Sequence, residues 1–81
     1  MITNKEFNTT IWDKTKTYPD DWRLGQKVFN AAEELLWNMT NQEHNIAREV
    51  QFIDGIDCFY NDDKIIEFLL NCWLRFNDWQ K

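Results

Sequence analysis

Residues 65–76 read IIEFLLNCWLRF, and nine of these twelve residues are apolar. The three exceptions, Glu67, Asn71 and Arg75, recur every four residues. On an α-helix this spacing gathers the polar side chains into one narrow stripe and leaves the other sides apolar. The segment therefore predicts a helix that must be buried on nearly all sides.

A chain of 81 residues has few other elements with which to cover such a helix. We therefore expect a second chain to cover part of it, and we predict a homodimer, because a twofold axis is the commonest way to hide an apolar surface. The expected self-association residues are Leu70, Trp73, Leu74 and Phe76. In the alternative, an N-terminal helix folds back and covers the second side with Phe7, Ile11 and Trp12.

Start signals indicate the other helices. Residues 3–6 (TNKE) and 40–43 (TNQE) both have the sequence of a capping box, in which Thr and Glu side chains each bond a backbone amide. Pro19 and the two aspartates after it are typical of a helix start. Asn61, with two more aspartates behind it, is a predicted cap for the last helix.

We predict an all-α fold, a single helical domain over residues 1–81. The predicted helices of this small bundle span 3–14, 20–39, 41–50 and 61–79, with an ordered aromatic loop at 51–60. The chain has two Gly and one Pro, which are too few turn residues for a small all-β fold. Five Trp, six Phe and two Tyr supply the large side chains that a small core needs.

Composition narrows the class of partner. The net charge is −5, and residues 17–74 hold eleven Asp and Glu against four Lys and Arg. We therefore expect no direct nucleic-acid binding of the usual basic kind. Residues 1–6 lack the apolar core of a signal peptide, and the run at 65–76 is too short to span a bilayer. We expect a cytoplasmic protein that binds no membrane.

The sequence offers no set of residues for catalysis. His44 is the only histidine, and its neighbours suggest no partner for acid–base work. Cys58 and Cys72 lack the spacing of a zinc site and a nearby cation that would activate a thiol. Four aspartates fall within residues 54–63, but the spacing of a calcium loop is absent. We predict no enzyme activity, no catalytic residues, no metal and no cofactor.

Arg23 and two aspartates form a separate prediction. Arg23 lies two residues before Gly25 near the start of the long helix, and Asp57 and Asp62 flank an aromatic pair before the last helix. Gly costs about 1 kcal/mol relative to Ala inside a helix, so we expect another element to approach Gly25 closely. We predict a structural tether in which Arg23 pairs with Asp57 or Asp62 and pins the loop to the helix.

Two motifs carry a resemblance. The first is RLGQ at 23–26 with Phe-Asn at 29–30, and the second is GIDCFYNDDKI at 55–65 with Phe-Leu at 68–69. In these stretches the chain resembles small uncharacterised proteins of bacteriophages and prophages, which combine an RLGQ…N helix start with a later D-x-F-Y-x-D…I…F-L stretch. The resemblance to that group implies no particular activity. The resemblance implies a virus-encoded accessory protein that acts in the bacterial host cytoplasm.

The apolar excess, the acidity and the missing catalytic set together favour a small non-catalytic protein-binding protein. With the resemblance, this becomes an accessory factor that binds a host protein and inhibits or redirects it. Two alternatives stay open at this stage. One is a self-associating structural or assembly module. The other is an acidic mimic of nucleic acid, which requires carboxylates at phosphate-like spacing.

Overall fold

The computed structural model describes residues 2–80 and shows a bundle of helices. Its elements are α1 (Asn4–Thr15), α2 (Leu24–Met39), α3 (Ile46–Phe52), a 3₁₀ helix (Asp62–Lys64) and α4 (Ile65–Gln80). Residues 2–80 contain no β-strand, so the predicted all-α fold is confirmed. Helix α1 packs on α2 and α4, and α3 packs on the same two helices from another side.

The first capping box forms as predicted. The Thr3 hydroxyl accepts the Glu6 amide at 3.1 Å, and the Glu6 carboxylate accepts the Thr3 amide at 3.0 Å. Both bonds satisfy amides that the first helical turn leaves without partners. Helix α1 therefore starts at Asn4 and ends at Thr15, one residue beyond the predicted end.

The second helix starts later than predicted. Residues 20–23 are not helical: the Trp22 amide bonds the Pro19 carbonyl at 3.2 Å, and the Tyr18 and Trp22 rings stack at 5.1 Å. Arg23 has extended backbone angles and precedes the first turn of α2. The capping carboxylate comes from a distant residue, Asp62, so the start of α2 is set by tertiary structure and not by the local Pro-Asp-Asp signal.

The second predicted capping box is wrong. Thr40 is buried and ends α2, with its hydroxyl 2.9 Å from the Leu36 carbonyl oxygen. Asn41 and Gln42 then adopt the left-handed backbone conformation, at φ 56° and 62°, which reverses the chain. Helix α3 begins only at Ile46, and its cap is Asn45, which accepts the Arg48 amide at 3.2 Å.

The approach to the last helix also differs from the prediction. Helix α3 runs two residues past the predicted end at 50, and the loop after it is ordered without strands. Asn61 does not cap with its side chain, which donates instead to the Asp57 carbonyl at 3.1 Å. A 3₁₀ turn at Asp62–Lys64 therefore precedes α4, a common arrangement at helix starts.

One hydrophobic core joins all four helices and the loop. Its largest fully buried side chains are Phe7, Ile11, Val28, Leu36, Ile46, Val50 and Phe68. Three of the five Trp side chains, those of Trp12, Trp73 and Trp79, are half-buried and pack at its margin instead of at its centre. The two buried thiols, Cys58 and Cys72, fill space in this core and form no disulfide. The core therefore uses one side of α4, and the opposite side carries the candidate site.

Candidate functional site

Helix α4 has a buried inner side and an apolar outer side. The inner side gives Phe68, Leu69, Cys72 and Phe76 to the core. Phe76, which we predicted for self-association, is therefore a core residue with 2% of its surface exposed. It lies one turn after Cys72 on the same side, and its ring stacks on Trp79 at 6.1 Å. The sequence could not separate this side from the outer one, because both are apolar.

The outer side carries a row of large aliphatic side chains. Ile66 is 75% exposed, Leu70 53% and Leu74 51%. They are spaced four residues apart, so they stand on successive turns of one side over about 12 Å. We call these three residues the outer face of α4. Leu70 and Leu74 belong to the predicted set, whereas Ile66 was missed, although its spacing from Leu70 was a readable signal.

Helix α1 covers one border of the outer face. The predicted alternative, in which the N-terminal helix folds back onto α4, is partly right: Phe7 and Ile11 are buried and Trp12 is half-buried. Trp73, from the predicted association set, is half-buried and packs its ring against Phe7 at 5.2 Å. Helix α1 nevertheless leaves the outer face itself open.

A shallow groove runs between α1 and α4 along this border. It has a volume of about 290 Å³ and is lined by Asn4, Asn8, Trp12, Ile66, Leu69 and Leu70. Apolar side chains form most of its walls, and two asparagine amides stand on the α1 side. Such a groove with a ridge of aliphatic side chains beside it is the shape that an amphipathic helix fits.

The other border of the outer face is polar. Lys64 and Glu67 pair at 3.6 Å, one turn apart. Further along α4, Arg75 binds Asp54 through two nitrogens, at 2.6 and 2.9 Å, and lies 3.5 Å from Glu49. The Arg75 guanidinium holds the pKa of the Asp54 carboxyl below its ordinary value. This clamp ties the loop after α3 to α4 and fixes the polar border of the outer face.

Arg23 tethers the loop, but not through a carboxylate as we predicted. Its guanidinium donates to the Phe59 carbonyl at 3.0 Å and lies over the Tyr60 ring, 5.3 Å from its centroid. Asp62 instead accepts the Gly25 amide at 2.8 Å, and Asp57 accepts the Phe59 amide at 2.9 Å. The start of α2 attracts Asp62 because its free amides carry partial positive charge. Arg23 therefore donates to the backbone carbonyl oxygen of Phe59 and not to a carboxylate.

The two cysteines and the histidine are weak candidates for catalysis or metal binding. The thiols of Cys58 and Cys72 are buried; burial raises the pKa of Cys58 to about 12 and the pKa of Cys72 well above its ordinary value. Both thiols therefore stay protonated and are poor nucleophiles at neutral pH. His44 is exposed and packs its ring edge on Trp79 at 6.1 Å. Over residues 2–80, no group of three or more His, Cys, Asp or Glu side chains is placed to hold a metal ion.

Among the helices of residues 2–80, none combines the length and the apolar character that crossing a membrane requires. No protein-family model, curated protein or solved structure matches the chain.

Proposed function

We propose that this chain is a small, acidic, non-catalytic protein-binding protein, and that it binds through the outer face of α4. The observation that supports this is the row of Ile66, Leu70 and Leu74, each more than half exposed. Single exposed aliphatic side chains are common on protein surfaces and do not indicate a binding site. Three of them on successive turns, beside an apolar groove, are typical of a surface that contacts another protein.

The energetic cost of the row supports the same proposal. Fully burying one large aliphatic side chain is worth about 1.5–3 kcal/mol. The free energy of unfolding of a domain is roughly 5–15 kcal/mol. Leaving three such side chains half exposed therefore forgoes a noticeable part of that stability. The core does not need them, because Phe68, Cys72 and Phe76 already fill the inner side of α4. Contact with a protein partner explains the row better than folding does.

The resemblance to small phage proteins favours a particular role. In this proposal the chain is an accessory factor that binds a host protein in the bacterial cytoplasm and inhibits or redirects it. The net charge of −5 favours a partner whose apolar cleft is bordered by Lys or Arg. Complementary charge of this kind speeds association and selects the partner more than it adds affinity.

The nucleic-acid mimic receives less support. Several of its carboxylates are paired within the chain: Glu33 with Arg48 at 2.8 Å, and Glu34 with Lys14 at 2.9 Å. Paired carboxylates do not present a row of free negative charge like that of a phosphate backbone. Ion pairs between neighbouring helices account for these carboxylates without a nucleic-acid site.

Retention of host proteins tests the proposal. Bacterial lysate is passed over immobilised wild type and over the double variant Leu70→Gln with Leu74→Gln, which keeps the net charge and a good helix former at each position. The matched control is Thr9→Gln with Thr10→Gln, on the exposed side of α1. We expect a discrete protein to be retained by wild type and control and lost by the α4 variant. Identical retention by all three, each folded by circular dichroism, would contradict the proposal.

A further inference from the structure

We propose that the chain has a second binding surface, which takes a peptide segment of a partner protein with a large apolar side chain next to an Asp or Glu. The surface is a cleft of about 360 Å³ between α2, the end of α3 and the loop before the 3₁₀ helix, and we call it the aromatic cleft. The rings of Phe29, Phe52, Phe59 and Tyr60 line it. None of them belongs to the outer face of α4, so this surface lies beyond the proposed function.

Two rings of the aromatic cleft are packed into the fold and two are exposed. Phe29 is buried and meets Phe59 edge to face, with 5.7 Å between the ring centroids. Phe52 is 70% exposed and Tyr60 is 68% exposed. Exposed aromatic rings beside a cavity are typical of places where a protein binds a large side chain of its partner. The cleft therefore supplies the apolar half of the proposed contact.

Arg23 supplies the charged half. The other two arginines, Arg48 and Arg75, each bind a carboxylate of the chain, at 2.8 and 2.6 Å. Within residues 2–80, the Arg23 side chain instead makes one hydrogen bond, to the Phe59 carbonyl at 3.0 Å, and lies over the Phe59 and Tyr60 rings. A guanidinium has five N–H groups, so most of those of Arg23 remain for an external acceptor.

The two aspartates that we expected to pair with Arg23 are held by backbone amides. Asp62 accepts the Gly25 amide at 2.8 Å, and Asp57 accepts the Phe59 amide at 2.9 Å. Arg23 is therefore a positive charge beside the aromatic cleft, and a peptide carboxylate complements it through two parallel hydrogen bonds. Because the carbonyl bond and the ring contacts already hold the guanidinium, binding costs it little side-chain freedom.

A single carboxylate suits this surface better than a polyanion does. The net charge of the chain is −5, and single-stranded nucleic acid, which also stacks on exposed rings, carries a phosphate at every nucleotide. Most of those phosphates would be repelled. A peptide with one Asp or Glu beside a large side chain needs only one cation. The charge balance therefore favours a protein segment as the occupant of the aromatic cleft.

Selection from random peptides displayed on ribosomes tests the proposal. The library is passed over immobilised wild type and over Phe52→Gln, each folded by circular dichroism, and the peptides that only wild type binds are sequenced. Ile53→Gln is the matched control, because Ile53 is also 70% exposed but does not line the cleft. We expect these peptides to carry an Asp or Glu beside a large apolar residue and to bind Ile53→Gln. No such peptides, or peptides without a carboxylate, would overturn the proposal.

A double-mutant cycle tests the contact with Arg23. A selected peptide and its Asn or Gln counterpart are titrated by fluorescence anisotropy against wild type and Arg23→Gln. Loss of the carboxylate should weaken binding to wild type by about 10-fold or more, and binding to Arg23→Gln by less than about 2-fold. If Arg23→Gln fails to fold, Arg23→Lys replaces it, because Lys keeps a charge but cannot bind a carboxylate through two nitrogens. Equal losses in wild type and variant would overturn the contact.

Two further titrations separate the aromatic cleft from other sites and other ligands. The double variant Leu70→Gln with Leu74→Gln should bind the selected peptide as wild type does, and weaker binding would contradict a surface separate from the outer face of α4. Labelled oligothymidine should not bind wild type. Oligothymidine binding that is lost in both Phe52→Gln and Arg23→Gln would overturn the peptide assignment in favour of nucleic acid.

Discussion

Gly25 is the residue at which three parts of the chain meet. A Cβ atom at this position would collide with the Cys58 carbonyl oxygen, and it would lie 2.8 Å from the Asp62 carboxylate. The Gly25 amide donates to that carboxylate, and its carbonyl oxygen lies 3.5 Å from the Cys58 sulfur. The sequence predicted the close approach from the presence of a glycine in a helix. It could not name the neighbour, because the contact joins residues more than thirty positions apart.

Gly25→Ala should destabilise the protein by about 2–3 kcal/mol, although Ala is the better helix former. The added methyl must displace the backbone at Cys58, and overpacking of this kind costs more than helix propensity returns. Urea unfolding followed by tryptophan fluorescence measures the change. Gly55→Ala is the comparison, because Gly55 has φ 73° and open space around it, so only backbone strain of about 1–2 kcal/mol applies. A Gly25→Ala variant as stable as wild type would refute the packing described.

Asp62→Ala should cost about 0.5–2 kcal/mol, the usual value for a lost helix cap. The lost bond is the one to the Gly25 amide, so the helix destabilised is α2 and not the element that contains Asp62. Asp63→Ala is the matched control, since Asp63 is the exposed neighbour in the same 3₁₀ helix. Hydrogen exchange at the first amides of α2 should rise in the Asp62 variant only. Equal effects of the two substitutions would argue against a cap across elements.

At the scale of the element, two capping-box sequences of the same type had different outcomes. The box at Thr3 forms because its helix start is exposed, and nothing else competes for Thr3 and Glu6. The box at Thr40 fails because that threonine is buried and bonds the end of α2. A capping motif is local, whereas the burial of Thr40 depends on how α2 and α3 pack. The sequence therefore predicted the existence of these helices more accurately than the residues at which they begin.

The Asp54–Arg75 pair should make stability depend on pH in a defined direction. The folded state lowers the pKa of Asp54, chiefly through its bonds to Arg75. Its contribution is therefore complete above the unfolded pKa of about 3.9 and is lost as pH falls through the lower folded pKa. Because both side chains are partly exposed and Glu49 also lies near Arg75, the contribution is about 1 kcal/mol.

Measuring the free energy of unfolding of Asp54→Asn and of wild type across a range of pH checks this dependence. The difference in unfolding free energy should be constant near neutral pH and should shrink below about pH 4, where the wild-type carboxyl also becomes neutral. Asp13→Asn is the control, since Asp13 makes only an exposed pair with Lys16 at 3.5 Å and should change little. A difference that grows on acidification would contradict the clamp.

At the scale of the whole molecule, the helical class was predictable and the division of α4 was not. Periodicity and the scarcity of turn residues indicated a bundle, and the bundle is found. The sequence could not say which apolar side of α4 faces the core, because α1 and α2 decide that from a distance. Phe76 was therefore assigned to the surface and Ile66 was overlooked. Leu70 and Leu74 are exposed on the open side, and their role in self-association stays a prediction.

The central claim is that protein covers the outer face of α4 inside a cell, and site-specific photocrosslinking tests it most directly. A benzophenone amino acid replaces Leu70 in one variant and Thr10, on the exposed side of α1, in the other. Both are irradiated in living bacteria, and the adducts are identified by mass spectrometry. We expect a discrete adduct from position 70, to a second copy or to a host protein, and none from position 10. No adduct at position 70, or the same adducts at both positions, would contradict a binding role for the outer face of α4.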